Sequence, residues 1–201
     1  MTDGSAGASA SAATSAAGRP ADASAPARAG TQSTAGELAR GVLPAQQLRE
    51  AIEREWLVAD PWRIPRSSVQ PASLDVRLGE HAWALRCSFL PDSDSTVEQK
   101  SEELAFERVD LRDGATLERD RPYLVPLIEE LRLPEGIRAK ANPKSSTGRL
   151  DVFTRVLSDR SHRFDEVAAG YHGKLYLEVV PRTFAIRVKT GLANVRGTTS
   201  R

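Results

Sequence analysis

The sequence predicts an all-β domain, a sandwich or jelly-roll-like barrel, with one amphipathic helix ahead of it. Three observations lead there. Eight short runs of about 5 to 7 residues follow Gln70, and most alternate apolar with polar side chains as half-buried strands do. Turn chemistry separates them, at Gly79-Glu80, Asp113-Gly114, Pro134-Glu135-Gly136, Gly170 and Gly173. No alternation of strands with helices points to a doubly wound parallel sheet.

Taken in order, residues 1–36 are almost entirely Ala, Ser, Gly, Thr, Pro and Asp without an aromatic residue. Such a run cannot bury enough apolar surface to offset its ordering entropy, and it reads as a disordered leader. It has no apolar stretch after a basic start, so it is not a secretory signal. Residues 44–56 read as a packing helix. Pro44 suits the first turn, Leu48, Ile52 and Trp56 recur at helical spacing, and Glu50, Glu53, Arg54 and Glu55 form the solvated face. Asp60, Pro61 and Pro65 end it. The predicted strands are 73–78, 82–88, 107–111, 123–127, 137–141, 152–157, 174–180 and 184–188, with 92–103 a polar exposed loop. The cleanest alternation is Lys174-Leu175-Tyr176-Leu177-Glu178-Val179-Val180.

Composition excludes several functions. With 28 basic and 27 acidic residues the net charge is +1, which argues for neither a nucleic-acid groove nor an acidic membrane surface. No apolar run approaches the ~20 residues that span a bilayer. The single cysteine, Cys87, cannot form an internal disulfide; it reads as a small core residue in a strand rather than a nucleophile, and the chain reads as cytoplasmic. Neither the His-x-Glu with Pro-Cys-x-x-Cys pattern of zinc deaminases, nor Gly-x-Ser-x-Gly, nor a Walker loop is present. Hydrolytic chemistry would have to rest on carboxylates, hydroxyls, arginine and Mg²⁺.

One loop stands out: Asn142-Pro143-Lys144-Ser145-Ser146-Thr147-Gly148-Arg149-Leu150-Asp151. Backbone amides, three hydroxyls and two cations between strand-like runs suit a polyphosphate, although such residues also fill ordinary turns. Glu178 shares its strand face with Tyr176 and Val180, and a carboxylate there must find a partner or become protonated. Three readings of it stand open: an outward strand residue, a buried Glu paired with an arginine for stability, or a proton-transferring group.

Three ordered blocks carry a resemblance. Ser73-Leu74-Asp75-Val76-Arg77-Leu78-Gly79, Lys144-Ser145-Ser146-Thr147-Gly148-Arg149-Leu150, and Ala169-Gly170-Tyr171-His172-Gly173 with Leu177-Glu178 together resemble the dCTP deaminase family, which shares its distorted jelly-roll fold with the trimeric dUTPases. Asn-Pro-Lys-Ser-Ser-Thr-Gly-Arg is similar to the N-terminal unit of the long, two-unit bacterial members. The resemblance spans about residues 41–195, within a domain taken as 37–196. Residues 197–201 read as a short tail, with a terminal strand missing and a sheet edge left unpaired.

The resemblance implies conversion of dCTP to dUTP and ammonia, for dUTP and dTTP biosynthesis. Glu178 would be general base and acid. Arg149 would pair with it, and Ser145 would position the attacking water. Lys144 and Ser146, with Ser145 and Arg149, would hold the nucleotide, and Asp165 and Tyr171 would border its sugar or base. Asp75 would face Mg²⁺ indirectly through water, or, on a plainer reading, pair with Arg77. Mg²⁺ would come with the triphosphate and no zinc would be needed. Lys144 stands where the family more often has arginine, keeping charge but losing the bidentate fork. The implied assembly is a trimer with shared sites, or pairing with a second homologous unit; no polymer or membrane partner is implied. Two other readings are a dUTPase-like diphosphatase and a non-catalytic nucleotide-binding unit.

Overall fold

The computed structural model describes residues 41–200; the leader read from residues 1–36 and Arg201 lie outside the described residues. The elements in chain order are α1 (Ala45–Glu53), β1 (Leu57–Val58), a 3-10 turn (Arg66–Ser68), β2 (Val69–Gln70), β3 (Ser73–Arg77), β4 (His81–Leu85), α2 (Val97–Leu104), β5 (Ala105–Asp110), β6 (Ala115–Leu117), β7 (Tyr123–Arg132), β8 (Arg138–Pro143), α3 (Ser145–Arg149), β9 (Val152–Ser158), β10 (Glu166–Val167), β11 (His172–Pro181), β12 (Ile186–Val188) and β13 (Ala193–Ser200). The predicted all-β class holds.

One antiparallel sheet runs β5-β4-β7-β11-β9, with β1 also on β7; the other runs β10-β8-β13-β3-β2; β12 and β6 form a separate ribbon. Alternation makes each sheet two-faced, and the apolar faces meet. Leu74 and Val76 of β3, Ala139 and Ala141 of β8, and Val195 of β13 join Val125 and Leu127 of β7 and Leu175, Leu177 and Val179 of β11 in one buried cluster. α1 adds Leu48 and Ala51 to it, the face expected from its spacing. A smaller cluster lies on the reverse of the larger sheet, where Leu85, Leu124, Leu157 and Tyr176 bury Val97 of α2, with Phe89, Leu104 and Phe164 packed around. No helix among the described residues is long and apolar enough to cross a membrane.

The structure adds the short strands β1, β2, β6 and β10 to the predicted set, and it corrects Cys87, which is exposed beyond the end of β4 at Leu85 rather than a core strand residue. Three further differences bear on the site or on how the sheets close. The polar stretch 92–103 is half helix: Thr96 accepts from the Gln99 N–H and the Gln99 side chain accepts from the Thr96 N–H, a capping box that starts α2. The phosphate-type loop coils into the five-residue α3. The stretch read as running out into a tail is β13, a central strand between β8 and β3. Gly197-Thr198-Thr199-Ser200 has poor apolar alternation, but its backbone pairs along β8 from Gly197↔Ala141 to Ser200↔Arg138, while its other side meets Leu74 of β3 at Gly197 and the Val42–Leu43 segment at Thr199 and Ser200. The expected missing strand and unpaired edge are therefore corrected: this position is filled from within the chain.

Candidate active site

β11 and β9 pair antiparallel with Glu178 directly opposite Arg155, Tyr176 opposite Leu157 and Val180 opposite Phe153. Cross-strand partners share a face, here the one turned away from the main core. Glu178 is 1% exposed. Ser88, in the segment between β4 and α2, donates to its Oε2 at 2.5 Å. Arg155 Nη2 donates to Oε1 at 3.1 Å and to Oε2 at 3.4 Å, and it also donates to the Ser88 hydroxyl. The Arg155 guanidinium carbon sits 3.6 Å from the Phe164 ring centroid and 5.2 Å from that of Phe153, two cation–π contacts that restrain it.

Ser88 reaches the carboxylate because α2 holds its segment against the sheet. Val97 is fully buried in the smaller cluster, and its N–H donates to Asp159 Oδ1 at 2.7 Å. Asp159 N–H in turn donates to the Tyr171 hydroxyl, which donates to the Lys174 carbonyl at 2.6 Å. Burial pushes the Tyr171 phenol up to about 12, so it stays protonated at neutral pH. A cleft of ≈ 510 Å³ opens beside this face, lined by Gly148, Asp151, Val152, Phe153, Val180 and Arg182. Gly148 of the α3 loop thus shares a cavity with Phe153 and Val180, the pair next along the ladder from Arg155 and Glu178.

A second charged group forms where β3, β8 and β13 adjoin. Lys144 Nζ donates to Asp75 Oδ2 at 2.8 Å and Arg196 Nε donates to Asp75 Oδ1 at 3.0 Å. Burial raises the Asp75 pKa, but the hydrogen bonds and charges of Lys144 and Arg196 outweigh it and leave the net value below the ordinary range. Arg77 is not its partner; that arginine turns to Glu129. Because each Asp75 oxygen already faces a cation, direct metal coordination by Asp75 does not fit this geometry. Among the described residues no group of three or more His, Cys, Asp or Glu side chains converges as a metal site. Asp75 instead aims two cations, with the Arg196 side chain 45% exposed and that of Lys144 24%.

The remaining predicted residues divide. Ser145, Ser146 and Arg149 lie exposed on α3. No hydrogen bond or ion pair among the described residues joins Arg149 to Glu178, so the expected in-chain pairing is corrected: the guanidinium at this carboxylate belongs to Arg155. The reason is register. Arg155 faces Glu178 across the ladder, whereas Arg149 precedes the turn into β9. Asp165 is placed as a backbone brace. Its Oδ1 accepts from Val156 N–H at 2.8 Å, its own N–H donates to the Val156 carbonyl, and its φ is 61°. Burial raises its pKa, more than the Val156 N–H and the charges of Arg155 and Lys140 lower it.

The Asp165 geometry yields a prediction. A carboxylate whose folded pKa is raised costs stability once pH exceeds that value, and the cost is absent below the unfolded value near 3.8. Asn keeps the acceptor for Val156 and tolerates the left-handed backbone. Asp165→Asn is therefore expected to leave stability at pH 7 unchanged or raised by up to about 1 kcal/mol. Urea midpoints at pH 7 and pH 4 check this, the gain shrinking at the lower pH; a loss above that size at pH 7 would contradict the brace.

Residues 39–198 match the model of the 2'-deoxycytidine 5'-triphosphate deaminase N-terminal domain. The chain belongs to the dCTP deaminase family. The crystal structure of 2'-deoxycytidine 5'-triphosphate deaminase from Agrobacterium tumefaciens superposes with a TM-score of 0.77 at 44% identity, covering 80% of this chain and 47% of that one. This dCTP deaminase family chain thus spans about half the length of that solved relative. It is also 29% identical over 141 residues to a "dCTP deaminase, dUMP-forming" of Methanospirillum hungatei, covering 69% of each. With a "dCTP deaminase" of Acidianus ambivalens it shares 23% identity over 150 residues, 75% of this chain and 78% of that protein.

Arg155, Ser88 and Arg196 escaped the sequence reading. Arg155 had a usable signal, its alternation along β9; Ser88 and Arg196 had none, since each meets its partner only through the fold.

Proposed function

We propose that this chain hydrolyses dCTP to dUTP and ammonia, with Glu178 as the proton-transferring carboxylate. The observation that carries the reading is a 1% exposed glutamate engaged by an arginine and a serine beside a cleft, in a chain of the dCTP deaminase family. Water attacks C4, its proton passes to Glu178, and Glu178 returns that proton to N3. The second proton of the added water then moves through the same carboxylate to the amino group. The C4–N bond breaks, ammonia leaves, C4 becomes a carbonyl, and Glu178 is again a carboxylate.

Lys144, Ser145 and Ser146 would hold the triphosphate, and the Asp75-anchored Lys144 and Arg196 give that end of the site positive charge. Mg²⁺ would travel with the triphosphate rather than be held directly by Asp75. Asp165 and Tyr171 would shape the nucleoside end through β9 and β11. Exposed Ser145 and Arg149 would serve the Glu178 of another copy, or of a second homologous unit, in a trimer-like assembly with shared sites; this reconciles their place on α3 with catalytic roles.

The names of several relatives favour a second product. An enzyme described as dUMP-forming also cleaves the triphosphate, so a diphosphatase activity on the same site is the competing reading. Incubation of the 201-residue chain with dCTP, and separately with dUTP, with and without Mg²⁺, tests both. Ammonia with dUTP as product supports the deaminase; pyrophosphate with dUMP supports the coupled reaction. Nucleotide-dependent stabilisation without either product points to a binding unit.

A further inference from the structure

We propose that Arg155 and Ser88 are positioning residues that form an in-chain cradle for Glu178, fixing Oε2 as the anchored oxygen and leaving Oε1 to handle the proton. The inference rests on the deaminase reading above.

Among the described residues two arginines meet a buried glutamate, and the two pairs differ. Glu129 is fully buried between the sheets, and Arg77 meets both of its oxygens, Nε on Oε1 and the backbone N–H on Oε2, each at 2.6 Å. Arg77 Nη2 is satisfied by the Arg63 carbonyl. That arrangement is complete in itself. Arg155 is different: its Nη2 carries the contacts to Glu178 and Ser88, while its Nε is buried without a hydrogen-bond partner. Buried pairing for stability rarely leaves a guanidinium donor unspent, and apolar residues on this face would pack against Tyr176, Leu157 and Phe164 at lower desolvation cost. The incomplete pair is the next on its face to Phe153 and Val180, which line the cleft; the complete one is built on a glutamate with no exposed surface.

The geometry also separates the two oxygens. Oε2 accepts the short Ser88 bond and the longer Arg155 contact, and so has both acceptor sites engaged. Oε1 accepts from Arg155 alone and keeps one site free. Phe164 and Phe153 pin the guanidinium from its faces, so the carboxylate plane is set before any ligand arrives. The proton-transfer half of the site is thus preassembled in one chain, whereas the exposed Ser145 and Arg149 of α3 make no hydrogen bond to Glu178 among the described residues.

The test uses the full chain carrying Arg155→Gln, Arg155→Lys, Arg155→Ala or Ser88→Ala. Ammonia release gives kcat and KM, equilibrium binding gives the dCTP Kd, and melting checks the fold. Expected for Arg155→Gln is a fall in kcat of about 10- to 100-fold with Kd within about threefold, Arg155→Lys lying between it and wild type. Added guanidinium should restore part of the turnover of Arg155→Ala, which a purely structural arginine would not allow. Ser88→Ala removes one hydroxyl from an otherwise exposed residue and leaves the Arg155 contacts to both Glu178 oxygens, so it should lower kcat while the chain still folds, and it keeps the test decisive if an Arg155 variant fails to fold. Unchanged kcat in Ser88→Ala and the folded Arg155 variants, or a rise in KM at constant kcat, overturns the cradle while leaving the deaminase reading intact. Absence of ammonia from the wild-type chain overturns both.

Discussion

Replacing Glu178 by glutamine is expected to lower ammonia release from dCTP by at least about 10²-fold while dCTP binding stays measurable. The substitution is nearly isosteric. Its amide oxygen can still accept from Arg155 or Ser88, so the cradle loses little of its shape. What disappears is a group that takes a proton from water and hands it to N3. Stability should move little: the Arg155 guanidinium keeps its contacts with Phe164 and Phe153 and the Ser88 hydroxyl, and at 22% exposure its charge already meets solvent. A binding isotherm and a melting curve beside the ammonia assay separate these quantities. Turnover at the wild-type rate would remove Glu178 from the mechanism; loss of binding together with turnover would make it a substrate contact instead.

The outline of this site was legible in the sequence, and its completion was not. β11 was readable because Leu175, Leu177 and Val179 alternate with Tyr176 and Glu178, and the two sets do enter opposite faces of the sheet. Glu178 therefore stood out as a carboxylate on a face with Tyr176, in need of a partner. The family motif points to Arg149 as its partner, and strand register, which decides otherwise, cannot be read from one sequence. Register places Arg155 across the ladder and brings in Ser88 from 90 residues away. α2 escaped because its solvent face makes the stretch polar, although Thr96 and Gln99 at capping-box spacing were a local signal. β13 escaped because backbone pairing with β8 and with the Val42–Leu43 segment, rather than side-chain alternation, holds Thr198-Thr199-Ser200. Asp75 does not pair with Arg77, although alternation gives the two a common strand face: Lys144 and Arg196 take both Asp75 oxygens, and Arg77 spends its Nε and its backbone N–H on Glu129.

Arg77→Met is expected to destabilise the domain by about 3–5 kcal/mol, the usual cost of stranding a buried charge. Glu129 on β7 is 0% exposed and its carboxylate is held by Arg77 of β3, so the pair bridges the two sheets. Methionine fills much of the volume of the arginine stem but leaves the Glu129 charge with only the residue 77 backbone N–H. Adding Glu129→Gln should recover more than half of the loss. Glutamine keeps an acceptor for that N–H and removes the charge, so the two substitutions must be strongly non-additive. Urea unfolding of the single and double variants measures the coupling. Equal stability of the single and double variants would show that packing, rather than charge, holds the sheets at this point. The consequence reaches the candidate site, because β3 also carries Asp75, the anchor of Lys144 and Arg196, and β7 pairs with the β11 strand that carries Glu178. Loosening the Arg77–Glu129 bridge is therefore expected to weaken nucleotide binding and turnover together, whereas Glu178→Gln lowers turnover alone.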